Sequence, residues 1–283
     1  MDPRGQICWK KEEGPFRELG PLLVHWTVEP DIKVITKIAR STLDIPAGSP
    51  CEVEFLAQGA FNKVYTIRCG LNTDCVIRVT APVQPQLKTL SECATIEYVR
   101  HHTDIPAPRV LPGHYGSTCD NELGFEWMIQ ECVRGTNLGD QWRHITWLEK
   151  ELLVRKVIVY MAQLFQQRFL RLGSLYATQA LQQLPTADLT HACLLGAEHS
   201  SKAKAFCLSE VVSIPLFYND HWTLDIERGP YKHSREWLAA QLRIALHDAE
   251  YLSDDEEEDE DDDGNEDSTS NPPSPTHGDN ESD

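Results

Sequence analysis

The apolar positions of this chain change their period along its length. Between residues 53 and 79 they fall in three short runs rich in β-branched residues: Val53 to Leu56, Val64 to Arg68 and Val76 to Val79. Such runs, broken by Gly59 and then by Gly70, Asn72 and Asp74, predict a three-stranded meander. From Leu90 to His102 the period lengthens to that of a helix, with Ala94, Ile96, Tyr98 and Val99 on its apolar side and Thr89 or Ser91 as the expected cap. Ile105-Pro106-Ala107-Pro108 stops it, because proline and the residue before it disfavour helical backbone. Arg109 to Tyr115 and Phe125 to Val133 read as two further strands around a polar turn from Ser117 to Gly124. The expected fold class is α+β, with a five-stranded antiparallel sheet and one helix inserted after its third strand.

The flanks are less regular. Asp31 to Ser41 has apolar residues at positions 32, 34, 35, 38 and 39, which predicts a short amphipathic helix within a lead-in over residues 1–50. Trp147 to Leu172 repeats apolar residues at helical spacing for about seven turns. It is expected to be the core helix of a second, helical lobe, ended by Gly173-Ser174-Leu175-Tyr176. Cys207 to Phe217 reads as one strand. Ser234 to Tyr251 reads as a helix capped by Ser234, with Trp237, Leu238, Gln241, Leu242 and Ala245 near one face. The expected organisation is therefore a lead-in over 1–50, a sheet lobe over 51–135, a partial helical lobe over 136–252 and a tail over 253–283.

Charge sharpens the picture of that tail. It holds 15 of the acidic residues and no Lys or Arg, which accounts for all but 3 of the 18 net negative charges. With almost no apolar residue to offset its ordering entropy, it is expected to be disordered. No basic stripe is available to neutralise phosphodiesters or anionic lipid, so neither nucleic acid nor a membrane surface is an expected partner. A basic protein partner for the tail is compatible. The 9 cysteines include no CxxC pair and several sit in apolar patterns, which points away from a zinc or disulfide framework and towards reduced thiols. No apolar stretch is long enough for a signal peptide or a membrane span, and the cytoplasm is the expected compartment.

Candidate chemistry concentrates between Glu54 and Glu92. A loop that covers phosphates needs close backbone approach, which makes Gly59 the candidate, with Phe61 to fold over the phosphates and Val64 to lie on an adenine. The kinase-type pattern asks for three glycines, and Ala57 and Asn62 hold the other two places. An ordinary hairpin accounts for the loop at least as well. In Val76-Ile77-Arg78-Val79, Arg78 lies among apolar neighbours and needs a partner if buried. Glu92, at the start of the following helix, is the natural one, and a structural ion pair without ligand is the competing reading. Glu131 to Val133, at the end of the last strand, is where backbone would meet an adenine. His221 and Asp225, near Trp222, suggest an acid/base pair, against which a merely solvated loop histidine is the commoner reading, and Asp220-His221 with Asp225 lack the third ligand a metal site would need.

Taken in order, LAQGAFNKVYTI, VIRV, SECATIEYVRHHTDIPAPRV, GFEWMIQECVRGTNL, LGSLY, SIPLFYNDHW and RGPYKHSREWLAAQL resemble the aminoglycoside phosphotransferase family in its fungal branch, over about residues 50 to 255. The resemblance implies a protein-kinase-like fold and ATP as the ligand. By position it implies Gly59 in the nucleotide loop, Arg78 as the phosphate cation in place of the usual Lys, Glu92 as its helix partner, and Glu131 and Val133 in the hinge. The catalytic Asp, its Asn and the metal Asp of such enzymes have no counterpart here beyond His277-Gly278-Asp279 in the tail, so Mg²⁺ binding is not expected. The expected function is an ATP-binding lobe without phosphotransfer. A pseudokinase-like interaction protein and a truncated small-molecule kinase are the alternatives.

Overall fold

A computed structural model describes residues 2–11, 21–69, 73–116, 121–184, 193–194 and 206–260. The chain opens with an antiparallel hairpin, β1 (Ile7–Lys11) and β2 (Leu22–Trp26), followed by helix α1 (Ile32–Thr42). The hairpin lies where only a weakly structured lead-in is expected. Each of its strands is 5 residues long, too short for alternation to stand out. Helix α1 forms as its pattern predicts: the Asp31 carboxylate accepts from the Lys33 N–H at 2.8 Å, and Ile35 and Ala39 are buried.

The main sheet follows as β3 (Glu52–Gln58), β4 (Asn62–Cys69) and β5 (Thr73–Thr80). Helix α2 (Leu87–His102) and strands β6 (Val110–Gly116) and β7 (Glu126–Glu131) complete the unit. Strand order is β3-β4-β5-β7-β6 and every pairing is antiparallel. The expected α+β architecture with a five-stranded antiparallel sheet is therefore observed. Asp74, expected in a turn, pairs with Arg68 inside the sheet, while 70–72 lie outside the described residues.

Period-two alternation sends each strand's side chains to opposite faces. On one face Tyr65, Ile67, Ile77, Val79 and Ile129 pack under Ile35 and Ala39 of α1. On the other, Met128 and Val110 pack against Cys93 of α2. Helix α2 begins one turn earlier than expected, and Gln86 precedes it with a left-handed φ of 68°. Neither Thr89 nor Ser91 caps it; both are buried inside the helix. The Gln86 N–H is taken instead by the carboxylate of Glu126, reaching over from β7.

C-terminal to the sheet come α3 (Leu138–Gln141) and α4 (Trp147–Gln166), the latter opened by a capping box in which Thr146 and Glu149 satisfy each other. This helix is shorter than its pattern predicts and it is not a core helix. None of its residues is buried, and Trp147, Leu152, Ile158 and Phe165 are exposed. Periodicity reports that a helix has an apolar side, not that something covers it.

Residues 174–177, expected to end that helix, form β8 (Ser174–Ala177), followed by α5 (Thr178–Gln182). With β9 (Cys193–Leu194) and β10 (Phe206–Ser209) it makes a three-stranded sheet. Gly173 precedes β8 because a Cβ there would stand 2.6 Å from the carbonyl oxygen of Ser209. The stretch from Cys207 to Phe217 is not one strand: β10 ends at Ser209, and Ile214–Phe217 forms a short helix, α6, with Pro215 in its first turn. Proline supplies no N–H for a ladder but suits a helix start. Tyr176 and Cys207 bury against Leu90, so this small sheet backs α2.

Helix α7 (Ser234–Glu260) corrects three expectations. Ser234 is its first residue, and Glu236 accepts from the N–H groups of Lys232 and His233 at 2.7 and 3.3 Å, doing the capping from inside. Its buried residues are Ala240 and Ile244, while Trp237, Leu238 and Leu242 are exposed. It also runs into the acidic segment expected to be disordered, as far as Glu260. Glutamate is a good helix former and extending an existing helix needs no new nucleus. The rest of that tail, with His277-Gly278-Asp279, lies outside the described residues. Among the described residues no helix is long and apolar enough to cross a membrane.

Candidate functional site

The residues singled out between Glu54 and Glu92 fall on and around the sheet face that α2 covers. In register, Arg78 lies opposite Val64 on β4 and Met128 on β7, so all three share that face. Arg78 reaches the helix: its Nη2 donates to Glu92 Oε2 at 3.0 Å, joining strand and helix as the sequence predicts. The other oxygen of Glu92 accepts from Lys88 Nζ at 2.6 Å, one helical turn earlier. The Lys88 side chain is only 6% exposed, so losing this partner would leave it buried and unpaired.

Asn62 extends the cluster from the β3–β4 turn. With its amide oxygen towards Arg78 it accepts from Nη2 at 3.2 Å and donates to Thr80 Oγ1 at 3.1 Å. Glu126, at the α2 start, is fully buried; one of its oxygens holds the Gln86 N–H and the other has no hydrogen-bond partner. Burial raises this carboxyl to about 7, against the pull of the Gln86 N–H and of Lys88. Arg78 and Lys88 bring two cationic side chains to the single carboxylate of Glu92 on this face. Arg78 offers five donors in a planar fork, of which one meets Glu92 and another lies 3.9 Å from the Met128 sulfur.

The remaining candidates are placed unevenly. Gly59 is exposed in the β3–β4 turn, where its N–H donates to Asn62 O at 2.9 Å. A Cβ there would meet nothing within 4 Å and its φ is not in the left-handed region, so the turn itself does not demand glycine. Phe61 does not hang free over the loop: it packs in a cluster with Val24, Val83 and Phe217, its ring edge-on to Phe217 at 5.4 Å. Val64 is half-buried beside Arg78. At the far end of β7, Glu131 is tied to Arg109, whose N–H and Nε donate to its carboxylate at 2.9 and 3.1 Å and hold it below the usual carboxylate range. Val133 is 72% exposed and lines a surface depression of about 470 Å³ with Arg100, Pro106, Pro108 and Glu131. Gly59 and Arg78 do not line it.

Lys88, Asn62 and Glu126 were not legible as partners, although the Lys88–Glu92 spacing of four along a helix is a signal for the first. His221 also departs from its expected exposed position. It is buried.

No family model matches the chain, and no solved structure matches it. Among curated proteins it is 27% identical over 188 residues to a subtelomeric hrmA-associated cluster protein of Aspergillus fumigatus, a match covering 65% of this chain and 33% of that protein. It is 23% identical over 245 residues to the mitochondrial Altered inheritance of mitochondria protein 9 of Yarrowia lipolytica, covering 81% of this chain and 42% of that protein. The chain thus spans a third to two-fifths of these relatives' length.

Proposed function

We propose that this chain supplies the nucleotide-binding part of a kinase-like protein of the aminoglycoside phosphotransferase type, in which Arg78 contacts the phosphates of ATP. The observation that carries the reading is the Arg78–Glu92 pair at 3.0 Å. A cation on the third strand of the sheet, fixed by a carboxylate of the following helix, is the arrangement that positions nucleotide phosphates in this fold. Arg78 keeps donors unspent on Glu92, and its fork suits the paired oxygens of a phosphate. Cys75, which lies opposite Glu131, stands about 10 Å along β5 from Arg78. Hinge and cation are therefore spaced on the scale of a nucleoside with its first phosphates.

For residues 1–283 the proposal is binding. Phosphoryl transfer, its acceptor and Mg²⁺ belong to the whole protein, because the relatives extend well beyond the matched region. A pseudokinase-like role with a basic protein partner is the second reading, favoured by the continuation of α7 to Glu260, which carries acidic residues outward on a helix. The proposed compartment is the cytoplasm, and cell fractionation checks it against the mitochondrion named for one relative.

A thermal-shift titration tests the binding. A ligand specific to the native state raises its melting temperature, so ATP is expected to raise that of the wild type but not that of Arg78→Gln. A wild type indifferent to saturating ATP, or an equal rise in the variant, removes the proposal.

A further inference from the structure

Asp220 and His221 open a 3-10 turn after α6, where Asn219 bends the chain through a left-handed φ of 49°. His247 and Asp248 approach them from α7. His221 is 4% exposed, and its Nδ1 lies 2.8 Å from the carbonyl oxygen of Pro215. A carbonyl can only accept, so Nδ1 carries a hydrogen and Nε2 is the nitrogen whose lone pair a cation would take. That nitrogen meets Asp248 Oδ1 at 2.6 Å, a contact that either a proton or a metal ion can bridge.

The neighbouring groups share this pattern. Asp220 Oδ1 accepts from Asn219 Nδ2 at 3.2 Å, while its Oδ2 stands 3.7 Å from His247 Nε2. His247 Nδ1 is a buried atom without a hydrogen-bond partner, 3.6 Å from Asp248 Oδ1. Both separations are too long for hydrogen bonds. The Asp220 Oδ2–His247 Nε2 separation is close to the roughly 3.4 Å between two ligands of one tetrahedral zinc ion, while Asp248 lies against the other nitrogen of that ring. One ligand atom from each of Asp220, His221 and His247 can be chosen so that all lie within 4.8 Å of one another.

We propose that Asp220, His221 and His247 bind one divalent transition ion of the zinc class, leaving a fourth position open. Two imidazoles with carboxylate favour such an ion over Mg²⁺ or Ca²⁺, which take oxygen ligands. The Pro215 carbonyl and Asn219 amide are the outer partners that orient the first ligands, as supporting groups do in metal sites. The ion fastens the α6 turn to α7. Coordination requires the partly exposed Asp220 side chain to move inward and the exposed Asp248 carboxylate to withdraw from His221 Nε2.

The test uses the full chain, tag-free and chelator-treated, titrated with Zn²⁺ or Co²⁺ alone. One equivalent of Co²⁺ is expected to produce visible ligand-field bands without the thiolate charge-transfer band that the cysteines would give. Zn²⁺ is expected to raise the melting temperature. His247→Gln and Asp220→Asn, at partly exposed positions, are each expected to weaken Zn²⁺ binding at least tenfold, the minimum lost when even an outer partner is removed. Both variants keep the acidic segment and all cysteines. Circular dichroism checks their fold, and Asp220→Glu provides a second carboxylate variant expected to retain binding. Lack of a one-to-one site in the wild type, or unchanged affinity in either His247→Gln or Asp220→Asn, overturns the proposal.

Discussion

Arg78 and Lys88 approach one carboxylate from opposite sides, each taking a different oxygen of Glu92, at 3.0 and 2.6 Å. Each cation therefore keeps a partner if the other is removed, whereas loss of the carboxylate leaves two cations facing each other. Glu92→Gln is expected to cost roughly 3 kcal/mol, the lower end for breaking a buried pair, because Arg78 and Glu92 keep some contact with water. Arg78→Gln is expected to cost only about 1 kcal/mol. Urea unfolding of both variants measures the ordering, and a larger loss in Arg78→Gln would contradict the shared-carboxylate arrangement.

Glu126 predicts a pH dependence of stability. Its carboxyl is raised from 4.5 to about 7 chiefly by burial, so the folded state holds a proton that the unfolded chain releases. The resulting stability is fully present below about pH 4.5 and is lost as pH rises through 7. Over that window the loss is on the order of 3 kcal/mol. Glu126→Gln keeps an oxygen for the Gln86 N–H and is expected to flatten this part of the profile and to be the more stable protein at pH 8. Denaturation midpoints between pH 5 and pH 8 decide it; parallel wild-type and variant profiles would rule Glu126 out as the source.

Apolar pattern and burial part company at α4. Leu152 belongs to a strongly apolar helix yet is 58% exposed, while Ile77 on β5 is fully buried. Ile77→Ala is expected to cost about 2–5 kcal/mol, and Leu152→Ala within about 0.5 kcal/mol of zero. Thermal melts of the two variants side by side provide the measurement. A comparable loss in both would mean that something covers α4 in solution.

Cys69 lies across from Cys51, with Sγ atoms 3.9 Å apart, and burial followed by the Cys51 neighbour pushes its thiol up to about 12. The thiolate is the nucleophile, so Cys69 is expected to resist alkylation near neutral pH. Peptide mapping after brief iodoacetamide treatment at pH 8 should find it unmodified in the folded protein and modified in urea. Early modification of Cys69 in the folded chain would count against this environment.

The sheet was legible because Val64 to Arg68 and Val76 to Val79 satisfy two requirements together: β-branched composition and turns at both ends. Arg78 was legible for a different reason, since a cation among Ile77 and Val79 must find a partner and Glu92 lies one strand-to-helix connection away. The capping of α2 by Glu126 was not, because the carboxylate comes from a strand 40 residues on. The same holds for His221 and His247, which no local spacing brings together. Helix α4 failed in the other direction: Trp147 to Phe165 advertise an apolar stripe, and a stripe carries no information about its cover.

Helix α7 is fastened near its middle by Ala240 and Ile244 and by the contact between His221 and Asp248. From Asp248 to Glu260 the helix advances about 18 Å beyond that point. The arrangement is a lever with its fulcrum at the α6 turn. Whatever sets the grip at the fulcrum also sets how stiffly that distant charge is presented.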